Sequence, residues 1–106
     1  MKLGIVINTN NAEKAWNALR LGNIALKEGR DVSVFLMGSG VEIEFIQNNQ
    51  YDVRGALDIF LQLRGTLLAC GTCLKSRNQE GGACPVSTMK DLLAMIETAD
   101  KVVTFG

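Results

Sequence analysis

The 106-residue chain contains no histidine. That removes the commonest general base and the commonest metal ligand together. Any catalysis must then run on sulfur, carboxylates, lysine or the backbone. Net charge is missing too: eleven acidic residues balance eleven basic ones. No global field therefore draws in nucleic acid or an anionic membrane, and one defence against self-association is absent. No apolar run approaches the roughly 20 residues needed to span a bilayer. The first eight residues, Met1 to Asn8, turn polar too soon for a secretory signal, so a cytoplasmic address is expected by default. Cysteine is scarce and odd in number, with three in the chain. Three thiols cannot all pair internally, and in a reducing compartment they read as working thiols or small buried hydrophobes.

What is present fits one globular domain over residues 1–106. A composition 47% hydrophobic and 21% charged suffices to bury a core without staples. Lys2 to Ile7 is a β-branched run ending in four polar residues, which predicts a buried strand and a turn. Asn10 stands three before Glu13 and predicts a capping box. Ala12, Ala15, Trp16, Leu19, Asn23 and Leu26 then recur at helical spacing. Gly29 is placed to close that helix in a left-handed conformation.

Asp31 to Met37 reads as a second strand, turning at Gly38-Ser39-Gly40. The glycines lack the rest of a phosphate-binding fingerprint. Val41 to Ile46 suits either a strand or a short helix and leans to helix. Glu42 and Glu44 within it read as solvated face residues. Asp52 is expected to cap a helix in which Val53, Ala56, Leu57, Phe60, Leu61 and Arg64 fall at helical spacing, and Gly65 to end it. Thr66 to Ala69 is the third strand, a short basic helix runs from Cys73 to about Asn78, and Asn78 to Pro85 is a loop and candidate mobile flap. Thr88 and Asp91 form a weaker capping pair before the stripe Met89, Leu92, Leu93 and Ile96. Asp100 to Phe105 closes the chain as a strand. Strands alternating with helices predict an α/β three-layer sandwich around a mainly parallel sheet of four or five strands.

Chemistry concentrates at Leu67-Leu68-Ala69-Cys70-Gly71-Thr72-Cys73-Leu74-Lys75-Ser76-Arg77. In open α/β sheets ligands collect at the carboxyl ends of strands, where Cys70 is expected. A helix opening just after it would aim the N–H groups of Gly71, Thr72 and Cys73 at the sulfur. These donors favour thiolate over thiol, as would Lys75 and Arg77 if they turn inward. Gly71 permits close approach of a bound group. Packing competes with this reading, since a cysteine at a strand end can be simple core. Cys84, before Pro85, is exposed or idle with equal ease.

A C-x-x-C pair also suits a thioredoxin-like dithiol, but Pro85 is the only proline and lies too close in sequence to serve as its cis-proline. Cys70, Cys73 and Cys84 supply three thiolates where structural zinc wants four ligands. No metal or cofactor is expected.

Taken together, Leu68 to Arg77, Phe35-Leu36-Met37-Gly38-Ser39-Gly40-Val41, Val86-Ser87-Thr88-Met89-Lys90-Asp91-Leu92 and Ala99 to Phe105 resemble the DsrE/DsrF-like sulfur-relay group. Cys70-Gly71-Thr72-Cys73 resembles its Cys-Gly-Thr-Cys members. The resemblance implies a small α/β fold assembled as a dimer, trimer or hexamer, with sulfur donor and acceptor proteins as partners. It further implies that a cysteine receives sulfane sulfur and passes it on, as a sulfurtransferase-type carrier. Cys70 matches the sulfur-carrying cysteine by position and Cys73 the second one, with either able to hold the sulfur; Cys84 matches no family role. Two alternatives stand beside this reading: a dithiol redox or sensing protein using Cys70 and Cys73, and a non-catalytic subunit or ligand-binding module. Trp16, Phe45 and Phe60 add large apolar groups that lead one to expect self-association.

Overall fold

A computed structural model of the chain describes residues 1–76 and 86–106, with Lys75 and Ser76 described by backbone alone. Its centre is an all-parallel sheet of β1 (Lys2–Ile7), β2 (Asp31–Leu36), β3 (Thr66–Cys70), β4 (Val86–Ser87) and β5 (Lys101–Phe105), in the spatial order β4-β3-β2-β1-β5. The helices are α1 (Ala12–Lys27), α2 (Val53–Gln62), α3 (Gly71–Ser76) and α4 (Met89–Thr98). A 3₁₀ helix, Gly38–Phe45, follows β2. The fold is thus α/β with a five-stranded sheet. The fifth strand, β4, is only two residues long, too short for any periodic pattern to mark it.

β1 lies between β2 and β5, and its residues from Leu3 to Ile7 are all buried. Burial on both faces is what selects a continuous β-branched run over alternation. Gly22 of α1 packs against the Phe60 ring of α2 and Ile5 of β1, so α1 and α2 share one face of the sheet. Gly4 instead backs onto Met95 and Ala99 at the end of α4. Successive strand residues point to opposite faces, so α4 covers the other side.

Local signals explain the helix ends, with two shifts. Asn11, not Asn10, caps α1, its side-chain oxygen accepting from the Lys14 N–H at 3.0 Å. The Asn11 N–H donates to Thr9 Oγ1, which sets the preceding turn. Gly29 closes α1 at φ +84° as expected. Asp52 caps α2 through the Gly55 N–H at 2.9 Å. Past its end, however, the left-handed residue is Arg64, φ +65°, rather than Gly65. Gly65 is required for a different reason: a Cβ there would run into the Phe60 ring, while the Gly65 N–H donates to the Phe60 carbonyl at 3.0 Å.

The ambiguous segment after β2 is helical, although of the tighter 3₁₀ kind, and buries Gly40, Val41 and Ile43. α4 carries a complete capping box: Thr88 Oγ1 accepts from the Asp91 N–H, and the Asp91 carboxylate accepts from the Thr88 N–H at 2.8 Å.

The aromatic residues divide differently from expectation. Phe60 is fully buried between α1 and α2. Trp16 is half-buried, tilted against Tyr51 with ring centroids 5.1 Å apart and Arg20 4.2 Å over its ring. Phe45 alone of the three is exposed. α4 carries an exposed apolar stripe, on which Met89, Leu93 and Ile96 keep 51, 57 and 46% of their area open. Among the described residues, no helix is long and apolar enough to cross a membrane.

Candidate functional site

β3 runs one residue further than the apolar pattern suggests, through Cys70, and α3 begins at Gly71 with nothing between them. β4 pairs beside it, Ala69 opposite Val86 and Cys70 opposite Ser87. From β3 the chain enters α3, which lies against the 3₁₀ helix. From β4 it turns instead into α4 on the other face. Adjacent strands that send the chain in different directions leave a crevice at their carboxyl ends, the usual place for a ligand in an open α/β sheet.

A cavity of about 460 Å³ opens there. Its walls are the Cys70–Cys73 turn on one side and Val86 to Met89 on the other. Among the described residues lining it, none is charged. A second hollow, about 300 Å³, sits at the amino end of the sheet among Lys2, Asp31, Arg64 and Thr66 and touches neither cysteine.

The two sulfurs have different surroundings. Cys70 belongs to the core, with 3% of its surface exposed. Cys73, one helical turn later, is half-buried, and its Sγ accepts a hydrogen bond from the Gly38 N–H at 3.2 Å. No disulfide joins them. Gly38 stands at the carboxyl end of β2 with φ +56°, and Asn8, just past β1, fills the space that a Cβ there would need. The Met37 N–H donates to the Ile7 carbonyl at 3.1 Å and the Gly40 N–H to the Met37 carbonyl at 2.9 Å. The ends of β1, β2 and β3 are thereby tied together around the Cys73 sulfur.

The space at Gly71 is taken by protein rather than left open to a ligand. A Cβ there would lie 2.8 Å from Val86 Cγ1, so glycine lets β4 close against the start of α3. Thr72 lines the cavity. The Lys75 side chain, Arg77, Cys84, the flap at 78–85 and the expected continuation of the basic helix to Asn78 lie outside the described residues. Among the described residues, no three His, Cys, Asp or Glu side chains gather as a metal site would require.

The sequence pattern marked Gly38-Ser39-Gly40 as a turn and Val86 to Met89 as part of a family-like stretch but assigned neither to the cysteines. The chemistry of the glycine turn was weighed only for phosphate. Its amide instead meets a sulfur 35 residues away in sequence, a pairing that only the order β3-β2-β1 creates.

Residues 1–105 match the family described as DsrE/DsrF-like. An uncharacterized protein of Methanocaldococcus jannaschii is 32% identical over 114 aligned positions, covering 99% of this chain and all of that protein. One from Methanopyrus kandleri is 31% identical over 102, covering 88% of this chain and 83% of its own length. A solved structure of a conserved protein of unknown function from Bacteroides thetaiotaomicron superposes with a TM-score of 0.79 at 20% identity, over 97% of this chain and 93% of that one.

Proposed function

Because this chain belongs to the DsrE/DsrF-like family, we propose that it is a cytoplasmic carrier of sulfane sulfur, held as a persulfide on the Cys70–Cys73 turn. The observation behind this reading is that both cysteines line one cavity at the carboxyl edge of the sheet. The chemistry is a form of thiol–disulfide exchange. A cysteine thiolate attacks the outer sulfur of a donor protein's persulfide. The donor S–S bond breaks, a new S–S bond forms on the carrier, and the donor's inner sulfur leaves as thiolate with the bonding pair. The outer sulfur keeps its own hydrogen or charge, so there is no net oxidation. Transfer to an acceptor thiolate repeats the step in the opposite sense. Lys75 and Arg77 follow the turn in sequence and supply positive charge to incoming persulfide.

Loading the protein with inorganic polysulfide and mapping its peptides by mass tests the proposal. Trypsin separates residues 65–75, which hold Cys70 and Cys73, from 78–90, which hold Cys84. One added sulfur on 65–75, released as thiocyanate by cyanide, is the expected result. No adduct on that peptide removes the carrier function. A reversible Cys70–Cys73 disulfide without any adduct would establish the dithiol alternative in its place.

A second copy of the chain is the natural cover for α4. Packed antiparallel to its own copy about Leu93, α4 would lay the exposed stripe of Met89, Leu93 and Ile96 along the same stripe of the second copy, as a two-fold pairing requires. Met89 also lines the cysteine cavity, so self-association would narrow its mouth.

A further inference from the structure

We infer that Cys73, rather than the strand-end Cys70, is the first sulfur acceptor, and that the backbone N–H of Gly38 stabilises the negative charge of its attacking thiolate. This assignment rests on the persulfide reading of the same site and deepens it.

Access comes first. An outer sulfur must be approached along the line of the S–S bond that breaks, so the attacking sulfur needs open space in front of it. Cys70 has 3% of its surface exposed and packs within β3. Cys73 is half-buried and lines the same cavity. A donor persulfide entering from solvent therefore meets Cys73 before Cys70.

Charge gives the same order. The attacking thiolate carries its negative charge on Sγ, and after transfer that charge passes to the outer sulfur. Among the described lining residues none is charged, so a fixed donor at Sγ is what stabilises the thiolate before it attacks. The Gly38 N–H lies 3.2 Å from Cys73 Sγ, and nothing in its placement depends on the sulfur. Flanking hydrogen bonds, Met37 to the Ile7 carbonyl and Gly40 to the Met37 carbonyl, fix the peptide from either side. Asn8 fills the space above Gly38, which makes Asn8 a positioning residue. The donor is oriented before any sulfur arrives, so no reorganisation is needed at the moment of transfer.

Gly38 meets two requirements that a side chain would break. Its φ of +56° disfavours L-residues, and a Cβ would strike the Asn8 side chain. The turn set aside as an incomplete phosphate loop thus has a use for the same backbone property, a donor aimed at an anion, with sulfur in place of phosphate.

The test uses the unmodified chain. Brief exposure to limiting inorganic polysulfide, trapping with iodoacetamide and fragment sequencing of peptide 65–75 locates the first sulfur. The expected adduct is on Cys73. An adduct that forms first on Cys70 overturns the assignment and leaves the carrier function standing; no adduct on either cysteine removes the function itself. A ¹⁵N-labelled sample reads the donor separately. The Gly38 amide signal should move as loading proceeds, in step with the Cys73 adduct. If Cys73 fills while the Gly38 signal stays fixed, the amide has no part in holding the charge. With Cys73→Ser, which removes the accepting sulfur itself, initial loading of peptide 65–75 should fall to the slower rate of the buried Cys70. Loading at the parent rate in that variant would count against the assignment.

Discussion

Helices α2 and α4 begin as near twins. Each is ten residues long, each opens on a side-chain cap, and each carries an apolar stripe at helical spacing. α2 sinks most of its stripe, with Val53, Ala56, Leu57 and Phe60 buried against α1 and the sheet and Leu61 partly so. α4 buries Met95 alone and leaves Met89, Leu93 and Ile96 in the open. The difference lies in what each is packed against. α2 has α1 alongside it on the same face, whereas α4 crosses its face towards an edge strand, β5, whose residues from Lys101 to Thr104 are themselves exposed. An amphipathic pattern records that a stripe is to be covered, not what covers it.

The sharpest way to break the contrast is to remove the anchor of α2. Phe60→Ala should cost about 3–5 kcal/mol of unfolding free energy, because a fully buried aromatic leaves a cavity its neighbours cannot fill. Urea denaturation followed by circular dichroism reads this directly. Next in size is Gly65→Ala, expected to destabilise by about 1–3 kcal/mol as its new methyl group presses on the same ring. Little change in that variant would show that the end of α2 is free to shift. On α4, Thr88→Ala removes the capping box and should cost about 1 kcal/mol, the same kind of loss as Asp52→Ala at α2. Leu93→Glu separates the two helices most clearly: the stability of the dissociated chain should change by no more than about 0.5 kcal/mol. Light scattering on that variant should nevertheless show a shift to the single chain; an unchanged mass would leave α4 without a role in assembly.

The smallest expected effect lies at the outer edge of the α1–α2 seam. Tyr51 is the only tyrosine, and partial burial, followed by its hydrogen bond to and charge repulsion from Glu13, pushes its phenol above the usual value of 10.0. A phenol raised in this way favours the folded state below its unfolded pKa, and the benefit is lost as pH rises through the folded pKa. Ultraviolet titration should place the midpoint above 10.0. Glu13→Gln should lower it only part of the way, since burial is the larger cause.

Those contrasts also mark what could be read before any coordinates. Strands β1, β2, β3 and β5 and helices α1, α2 and α4 were visible because each repeats one period over at least five residues. Two-residue β4 has no period, and its place follows only from pairing with β3. The ends of α1, α2 and α4 were legible to within a residue, whereas the short helices after β2 and β3 begin three and two residues earlier than read, and the misses have physical causes. Asn8-Thr9-Asn10-Asn11 offers several side chains able to cap. After α2, Gly65 is fixed by the Phe60 ring, leaving Arg64 to take the left-handed turn. At the site, Cys70 and Cys73 were conspicuous as a spaced pair. Their unequal exposure was not, because it depends on which neighbours the sheet order brings near. Gly38 was not tied to the cysteines because a backbone donor has no residue type of its own.

The bond between the Gly38 amide and the Cys73 sulfur joins positions 35 residues apart, and it spans two strands that pair only when the sheet closes. Before that closure, a newly made chain has three thiols with nothing to tell them apart. The difference in exposure between Cys70 and Cys73 appears with the finished fold and vanishes with it. Selective labelling at Cys73 would therefore serve as a built-in gauge of how much of a preparation has matured.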